Sequence, residues 1–191
     1  MSYLHYDTIL HRVKGTTRAL LEFFASRLTL THTGYADYQH ADGTTDMLTD
    51  TWTDVPNNQL GDYTTEEFLP KGITSLMDPA TGYLDFSQLS LGDWIHVRND
   101  FTVVPDSSNA HVEARYEFGS GAGVFYLYIL DSIGRGAAAP VQSLKGDIRI
   151  TMSFPSTLNN PGKLQVKCDV GGTLTVQGSN VGVTLSQARF N

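Results

Sequence analysis

Charge is what this sequence has least of. Asp, Glu, Lys and Arg make up 17% of the 191 residues, against roughly a quarter in average globular proteins. Bases are scarcer than acids, 13 against 20, which leaves a net charge of −7. A phosphate-backbone binder needs surplus Lys and Arg to displace counterions, so direct nucleic-acid binding is not expected. Cysteine occurs once, which forbids an internal disulfide and any cysteine-cluster zinc site. Cys168 shares an alternating apolar face with Leu164, Val166 and Val170. It reads as a buried structural thiol, not a nucleophile. Long apolar runs are missing too. The longest, Val124 to Leu130, is far short of the roughly 20 residues a membrane helix needs. Asp7, Arg12 and Lys14 break any signal-peptide profile. The expectation is a chain that folds in a reducing cytosol, without membrane insertion and without a cofactor.

Glycine, aromatics and threonine fill the place of the missing charge. Gly occurs 18 times, Tyr and Phe 9 times each, and 40% of residues are apolar. β-Branched and aromatic side chains fit a pleated, half-buried surface, and Gly closes turns. The mixture reads as mainly β. So few charges also fit a surface partly hidden against other subunits. What acid there is clusters: Asp37 to Glu67 holds eight acidic residues and no Lys or Arg. That stretch reads as a solvated loop or arm, with a cation site or a docking strip for a basic partner as alternatives.

The N-terminus and the middle are irregular. Tyr3, Tyr6, Leu10 and Val13 have helical spacing over 3–13, with Gly15 as a stop. Leu20, Phe24 and Leu28 suit a helix face, and with Leu30 they also fit a period-two strand. Read as a helix over 17–26 and a strand over 27–33, or as strand throughout, they complete an N-terminal arm, 1–33, ahead of a domain spanning 34–191. The segment from Gly34 to Asn58 is polar, with Asp42-Gly43 as a turn and a short strand at Thr51–Val55 carrying Trp52. Pro70, Gly72, Pro79 and Gly82 then exclude long regular elements before Leu91.

From Gly92 onward the period is two. Ile95, Val97, Phe101 and Val103 alternate with polar residues, as do Val112, Ala114, Tyr116 and Phe118. Ile148, Ile150, Met152 and Phe154 form a third such set, and Leu164, Val166, Cys168 and Val170 a fourth. Each predicts a strand with one buried face. Val124 to Leu130 is apolar on both faces, which predicts cover on both sides, either centrally or at a subunit interface. Leu174 with Val176, and Val181 with Val183 and Leu185, bring the series to at least six short strands. Such spacing without intervening helices predicts a β-sandwich or jelly roll.

Catalytic patterns are missing. Gly119-Ser120-Gly121-Ala122-Gly123 lacks the Lys-Ser/Thr of a phosphate loop and joins two predicted strands, so it reads as a hairpin loop. Asp169-Val170-Gly171-Gly172-Thr173 reads as a tight turn. The six histidines form no metal-binding spacing, and His5 and His11 stand too far apart for a ligand pair. Asp42, Asp46 and Asp50 lack the EF-hand pattern, although a loop-bound calcium ion is conceivable. A metal enzyme on this scaffold would need ligands at inward strand positions, where the alternation is apolar. The most distinctive exposed group is Trp94, His96, Arg98 and Asp100 on one outward strand side. Trp and Arg are frequent interface anchors. The alternatives are a sugar-stacking platform and a plain surface with cross-strand pairing to His111, Glu113 or Arg115.

Three stretches carry a family resemblance: Phe68-Leu69-Pro70-Lys71-Gly72-Ile73, then Tyr83 through Asp93, then Ile95-His96-Val97-Arg98. Together, over roughly residues 65–130, they resemble virion structural proteins of tailed bacteriophages with a jelly-roll body similar to C1q and tumour-necrosis-factor knobs. In those proteins a Leu-x-x-Gly-Asp turn leads into a long central strand, here Leu89 to Val104. The resemblance implies a non-enzymatic homotrimer that decorates the capsid or belongs to the tail, touches other virion proteins and assembles in the host cytoplasm. The alternative is a receptor- or carbohydrate-binding module of a phage tail, with Trp94 as stacking platform and Asp131 and Arg135 as polar contacts.

Overall fold

A computed structural model describes residues 33–41, 43–133 and 142–186; along 130–133 and 142–147 the description covers the backbone. All of these residues belong to the unit His32–Asn191. The helices expected over 3–13 and 17–26, most of the strand at 27–33, Asp42 and Arg135 lie outside the described residues.

The described residues form two antiparallel sheets. The strands are β1 (Thr33–Gln39), β2 (Thr44–Met47), β3 (Thr53–Asp54), β4 (Trp94–Pro105), β5 (His111–Phe118), β6 (Phe125–Ile133), β7 (Gln142–Thr151), β8 (Lys163–Cys168) and β9 (Gly172–Thr184). One sheet runs β1-β9-β4-β7 with β2 also on β9, and the other runs β3-β8-β5-β6. If β1 and β2 are counted as one interrupted strand, the orders become 1-8-3-6 and 2-7-4-5. That is the two-Greek-key arrangement of a jelly roll. The expected fold class, a mainly-β jelly-roll sandwich, is what forms.

The period-two pattern decides which sides face inward. Ile95, Val97, Phe101 and Val103 of β4 are buried against Val112, Ala114, Tyr116 and Phe118 of β5 and Leu164, Val166 and Cys168 of β8. Each Val, Leu, Ile or Phe among them contributes about 1.5–3 kcal/mol on burial. Cys168 is fully buried, and burial pushes its thiol pKa up. The connection from Val55 to Asp93 closes one end of the sandwich with Ile73, Leu76, Met77, Leu84, Phe86 and Leu89. Tyr38 anchors it, donating to Glu66 Oε1 at 2.9 Å and accepting from Leu76 N–H at 2.7 Å.

The Gly-Asp turn before β4 has a clear mechanical role. Asp93 is fully buried; its carboxylate accepts from Ser90 N–H at 2.8 Å and from Ser186 N–H at 2.6 Å. It thereby ties the turn to the far end of β9. Gly92 sits at φ 91°, a region that L side chains avoid.

Several expectations need correction. The polar stretch after Gly34 contains β1 and β2; β1 directs only Ala36 and Tyr38 into the core, too few apolar residues to stand out. Leu174–Val176 and Val181–Leu185 are not two strands but one, β9. Pairing with β4 skips Gln177, because Asp100 faces Gly178 while Phe101 faces Val176. This one-residue bulge switches the inward set from even to odd numbers. Phe154 leaves the ladder and is exposed at the start of the short helix α1, Pro155–Leu158. The central placement considered for Val124–Leu130 is overturned: among the described residues β6 pairs with β5 alone and ends its sheet.

One polar pair crosses the core. Asn99 Nδ2 donates to the Tyr116 hydroxyl at 2.6 Å, and Asn99 Oδ1 accepts from Ser179 at 2.8 Å. Burial holds the Tyr116 phenol neutral well above the usual range. Tyr116→Phe leaves the Asn99 amide without its acceptor. We expect a loss of about 1–3 kcal/mol, read as a lower urea midpoint at unchanged m-value.

Candidate functional site

The outward side of β4 carries all four residues singled out from the sequence. His96 and Arg98 are exposed, and Trp94 and Asp100 half-buried. Their neighbours are not the ones proposed for a plain surface. His111, Glu113 and Arg115 lie on β5 in the other sheet, and β4 is flanked by β7 and β9. The group divides in two. Toward β7, the Arg149 guanidinium lies 4.0 Å from the Trp94 ring centroid, and His96 stands opposite Arg149. One face of the indole is therefore already occupied by a cation. Toward β9 and β1, Arg98 pairs with Asp100 at 3.1 Å, and both line a surface cavity of about 220 Å³.

That cavity opens where the bulge bends β9. Gly178 and Asn180 form part of its lining, with Asp37 and Gln39 from β1 and Tyr63 from the connecting segment. Asn180 Nδ2 donates to Asp37 Oδ1 at 2.6 Å, and Tyr63 N–H donates to Gln39 Oε1 at 2.9 Å. A side chain at position 178 would bring a Cβ to 2.5 Å from the Tyr38 carbonyl oxygen, so the floor requires glycine.

A second cluster, on the outward face of the other sheet, was missed from the sequence. Arg115 of β5 is sandwiched between Trp52 and Tyr126, its guanidinium carbon 3.9 Å from each ring centroid. Its Nε–H donates to Gln165 Oε1 at 2.9 Å, and Gln165 Nε2 donates to Asp54 Oδ1 at 2.8 Å. The Tyr83 hydroxyl donates to the other Asp54 oxygen. Lys167 bonds Glu113 at 2.7 Å and Asp50 at 3.1 Å. Those two bonds raise its pKa. Asp50, one of the three carboxylates considered for calcium, is thus engaged by a cation of the chain itself. No local signal pointed to this cluster, since Trp52, Arg115, Tyr126 and Gln165 lie far apart in sequence.

Other polar groups are absorbed locally. In a cleft of about 600 Å³ beside α1, Asp78 accepts from Ala80 N–H and Thr81, bonds that lower its pKa. Among the described residues no three His, Cys, Asp or Glu side chains are grouped to hold a metal ion. No helix there is long and apolar enough to cross a membrane. The Gly119–Gly123 segment is the β5–β6 hairpin connection, and Asp169–Gly171 is the β8–β9 turn.

The third feature is the β6 edge. Phe125, Tyr126, Leu127 and Tyr128 are 41%, 45%, 37% and 57% exposed. Phe125 and Leu127 stand opposite Phe118 and Tyr116 on the core-facing side, and Tyr126 and Tyr128 opposite Glu117 and Arg115 on the outward side. Both faces of this stretch are apolar and only partly covered by the described residues, Phe125 stacking on Phe118 and Tyr126 on Arg115.

No protein-family model matches the chain, and no curated protein matches it. Among solved structures it is similar to Eiger TNF from S. frugiperda, at 11% identity and TM-score 0.42 over 81% of this chain and 92% of that one. It is also similar to the CBM22-1 xylan-binding domain of Paenibacillus barcinonensis Xyn10C, at 10% identity and TM-score 0.39 over 80% and 94%. A chain of infectious bursal disease virus Gt strain matches at 8% identity and TM-score 0.36, over 80% of this chain and 30% of that one. These scores are too low to carry an argument; the jelly-roll assignment rests on the strand order.

Two outcomes follow from the Arg115 cluster. Arg115→Lys keeps the charge but loses the planar stack, so we expect about 1–3 kcal/mol of destabilisation and a red shift of Trp emission. The Tyr83 phenol is pushed up to about 12, chiefly by its bond to Asp54 and then by burial. Its stabilisation is complete below the ordinary value of 10.0 and is lost as pH rises toward about 12. Tyr83→Phe should therefore flatten part of the decline in melting temperature across that window.

Proposed function

We propose that the chain is a non-enzymatic virion structural protein, a capsid decoration or tail-associated component that works as a homo-oligomer, with a trimer favoured. The observation that carries this reading is the β6 edge, which no other strand of the described residues pairs. A long edge strand with apolar side chains on both faces is a template for association unless something covers it. In β6 the four exposed aromatic and aliphatic residues are consecutive. Tyr and Phe are common at interface cores, where charge is depleted, and the chain is poor in charge throughout.

The rest of the reading draws on the same surface. β7 forms the edge of the first sheet as β6 does of the second, and the two make contact. Trp94, capped by Arg149 of β7, lies toward that side and extends the interface candidate with His96. A trimer requires β6 to meet a different patch of the next copy, a heterologous contact that closes into a ring. Three copies, a phage virion and other virion proteins as partners are what the sequence resemblance supports. In this scheme 34–191 is the assembling body and 1–33 its arm. The described inward positions of β4, β5 and β8 are apolar apart from Asn99 and the Tyr116 hydroxyl bonded to it, which supports a non-catalytic reading. A second reading, a receptor- or carbohydrate-binding module of a phage tail, is favoured by the polar cavity holding Arg98 and Asp100.

Light scattering at micromolar concentration tests the first reading. We expect a mass near three times 21.0 kDa, and dissociation to monomer in the Leu127→Asp, Tyr128→Glu double variant with its circular dichroism retained. A wild-type protein that stays monomeric would overturn the proposal.

A further inference from the structure

The bulge does more than restore the inward face of β9. Squeezing Gln177 out of the ladder bends the strand, and the cavity of about 220 Å³ forms beside it on the outward face. Its polar groups come from three strands, β1, β4 and β9, which hold them more rigidly than loops would. We propose that this cavity binds one ring of a neutral saccharide, with Tyr63 as the platform for the sugar's C–H face and Arg98, Asp37 and Asn180 as partners for its hydroxyls. The proposal rests on the second reading above and gives it a place and a ligand class. It moves the stacking role from Trp94, whose ring carries Arg149, to Tyr63.

The chemistry of the lining selects the ligand. Asp37 and Asp100 contribute two carboxylates against one guanidinium, and Arg98 is already paired with Asp100 at 3.1 Å. An anionic ligand would meet surplus negative charge. An apolar ligand would strip water from carboxylate and amide groups without replacing their hydrogen bonds. A neutral polyol avoids both costs, because each hydroxyl donates and accepts. Asp37 Oδ1 takes the Asn180 amide at 2.6 Å, which orients that amide and leaves Asp37 Oδ2 and Asn180 Oδ1 as neighbouring acceptors. Arg98 still has N–H groups beyond the one bonded to Asp100. Donors and acceptors therefore stand side by side, as adjacent ring hydroxyls require.

Tyr63 supplies the apolar element. Its side chain is 78% exposed at the rim, while its backbone is held by Gln39 Oε1 at 2.9 Å. An aromatic ring kept in water beside polar groups is amphipathic contact area at low entropic cost. The volume is below the roughly 300–1,000 Å³ of sites for drug-sized ligands, which limits the enclosed part to about one ring.

The experiment is saturation-transfer NMR with titration calorimetry on the full chain. The probes are neutral methyl glycosides of glucose, galactose, mannose and N-acetylglucosamine, with sialic acid and glucose 6-phosphate as the anionic arm. We expect at least one neutral glycoside to bind. Tyr63→Ala and Asn180→Ala should each weaken it about tenfold, with Trp94→Ala unchanged. Should Asn180→Ala fail to fold, Tyr63→Ala decides, since that ring is at the surface. Binding that persists in both variants would overturn this site while leaving a carbohydrate-binding role standing. Absence of any neutral glycoside signal, or binding of the anionic sugars alone, would overturn the site and the neutral-saccharide assignment together.

Discussion

The pairing of β4 with β9 is the constraint on which the remaining structure depends. β4 keeps one inward parity from Ile95 to Pro105, whereas β9 changes parity between Val176 and Val181. Straight antiparallel pairing would place half of β9's apolar set in water. Removing one residue, Gln177, from the ladder puts both halves on the core side. Asn99 and Ser179, hydrogen-bonded to one another at 2.8 Å beside the irregularity, lock the register there. Asp93 secures one end of the same pair of strands through Ser186.

This spine also explains why the two outer surfaces differ. On the β1 side the bulge opens a polar hollow with Arg98 and Asp100 on its wall. On the β6 side, jelly-roll order leaves a terminal strand with no further partner among the described residues. β6 has its own irregularity, since Ala114 faces Leu130 and Arg115 faces Tyr128. That shift sets Tyr126 and Tyr128 on the outward face, where Tyr126 completes the Arg115 stack. The polar hollow and the apolar edge thus lie on separate parts of the domain, the first beside β1 and β9 and the second on β6.

Much of the fold was legible because one buried face and one wet face leave a period of two, as in β4, β5 and β8. The jelly-roll order itself was not, because pairing between strands distant in sequence leaves no local signal. β1 escaped notice for lack of apolar residues: its inward side chains are Ala36 and Tyr38, and its polar neighbours read as loop. The parity change at Gln177 shows in the spacing of Val176 and Val181, a pattern that a strand boundary would also produce; Gly178 is the residue that marks a bulge instead. For the candidate sites, period two sufficed to place Trp94, His96, Arg98 and Asp100 on one outward side. It could not say that Arg149 would cover Trp94, nor that Tyr63 and Asp37 would join Arg98. The Trp52–Arg115–Tyr126 stack was invisible for the same reason.

In the proposed assembly, β4 and β9 form the rigid frame of one sheet, and the β6 edge of the other sheet is closed by another copy of the chain. Amide hydrogen exchange across a dilution series probes both statements at once. Slow exchange is expected in β4 and β9 at every concentration, together with protection of Phe125 to Ile129 in concentrated protein that disappears on dilution. Rapid exchange of β6 at all concentrations, or exchange in β4 as fast as in β6, would rule the assembly out.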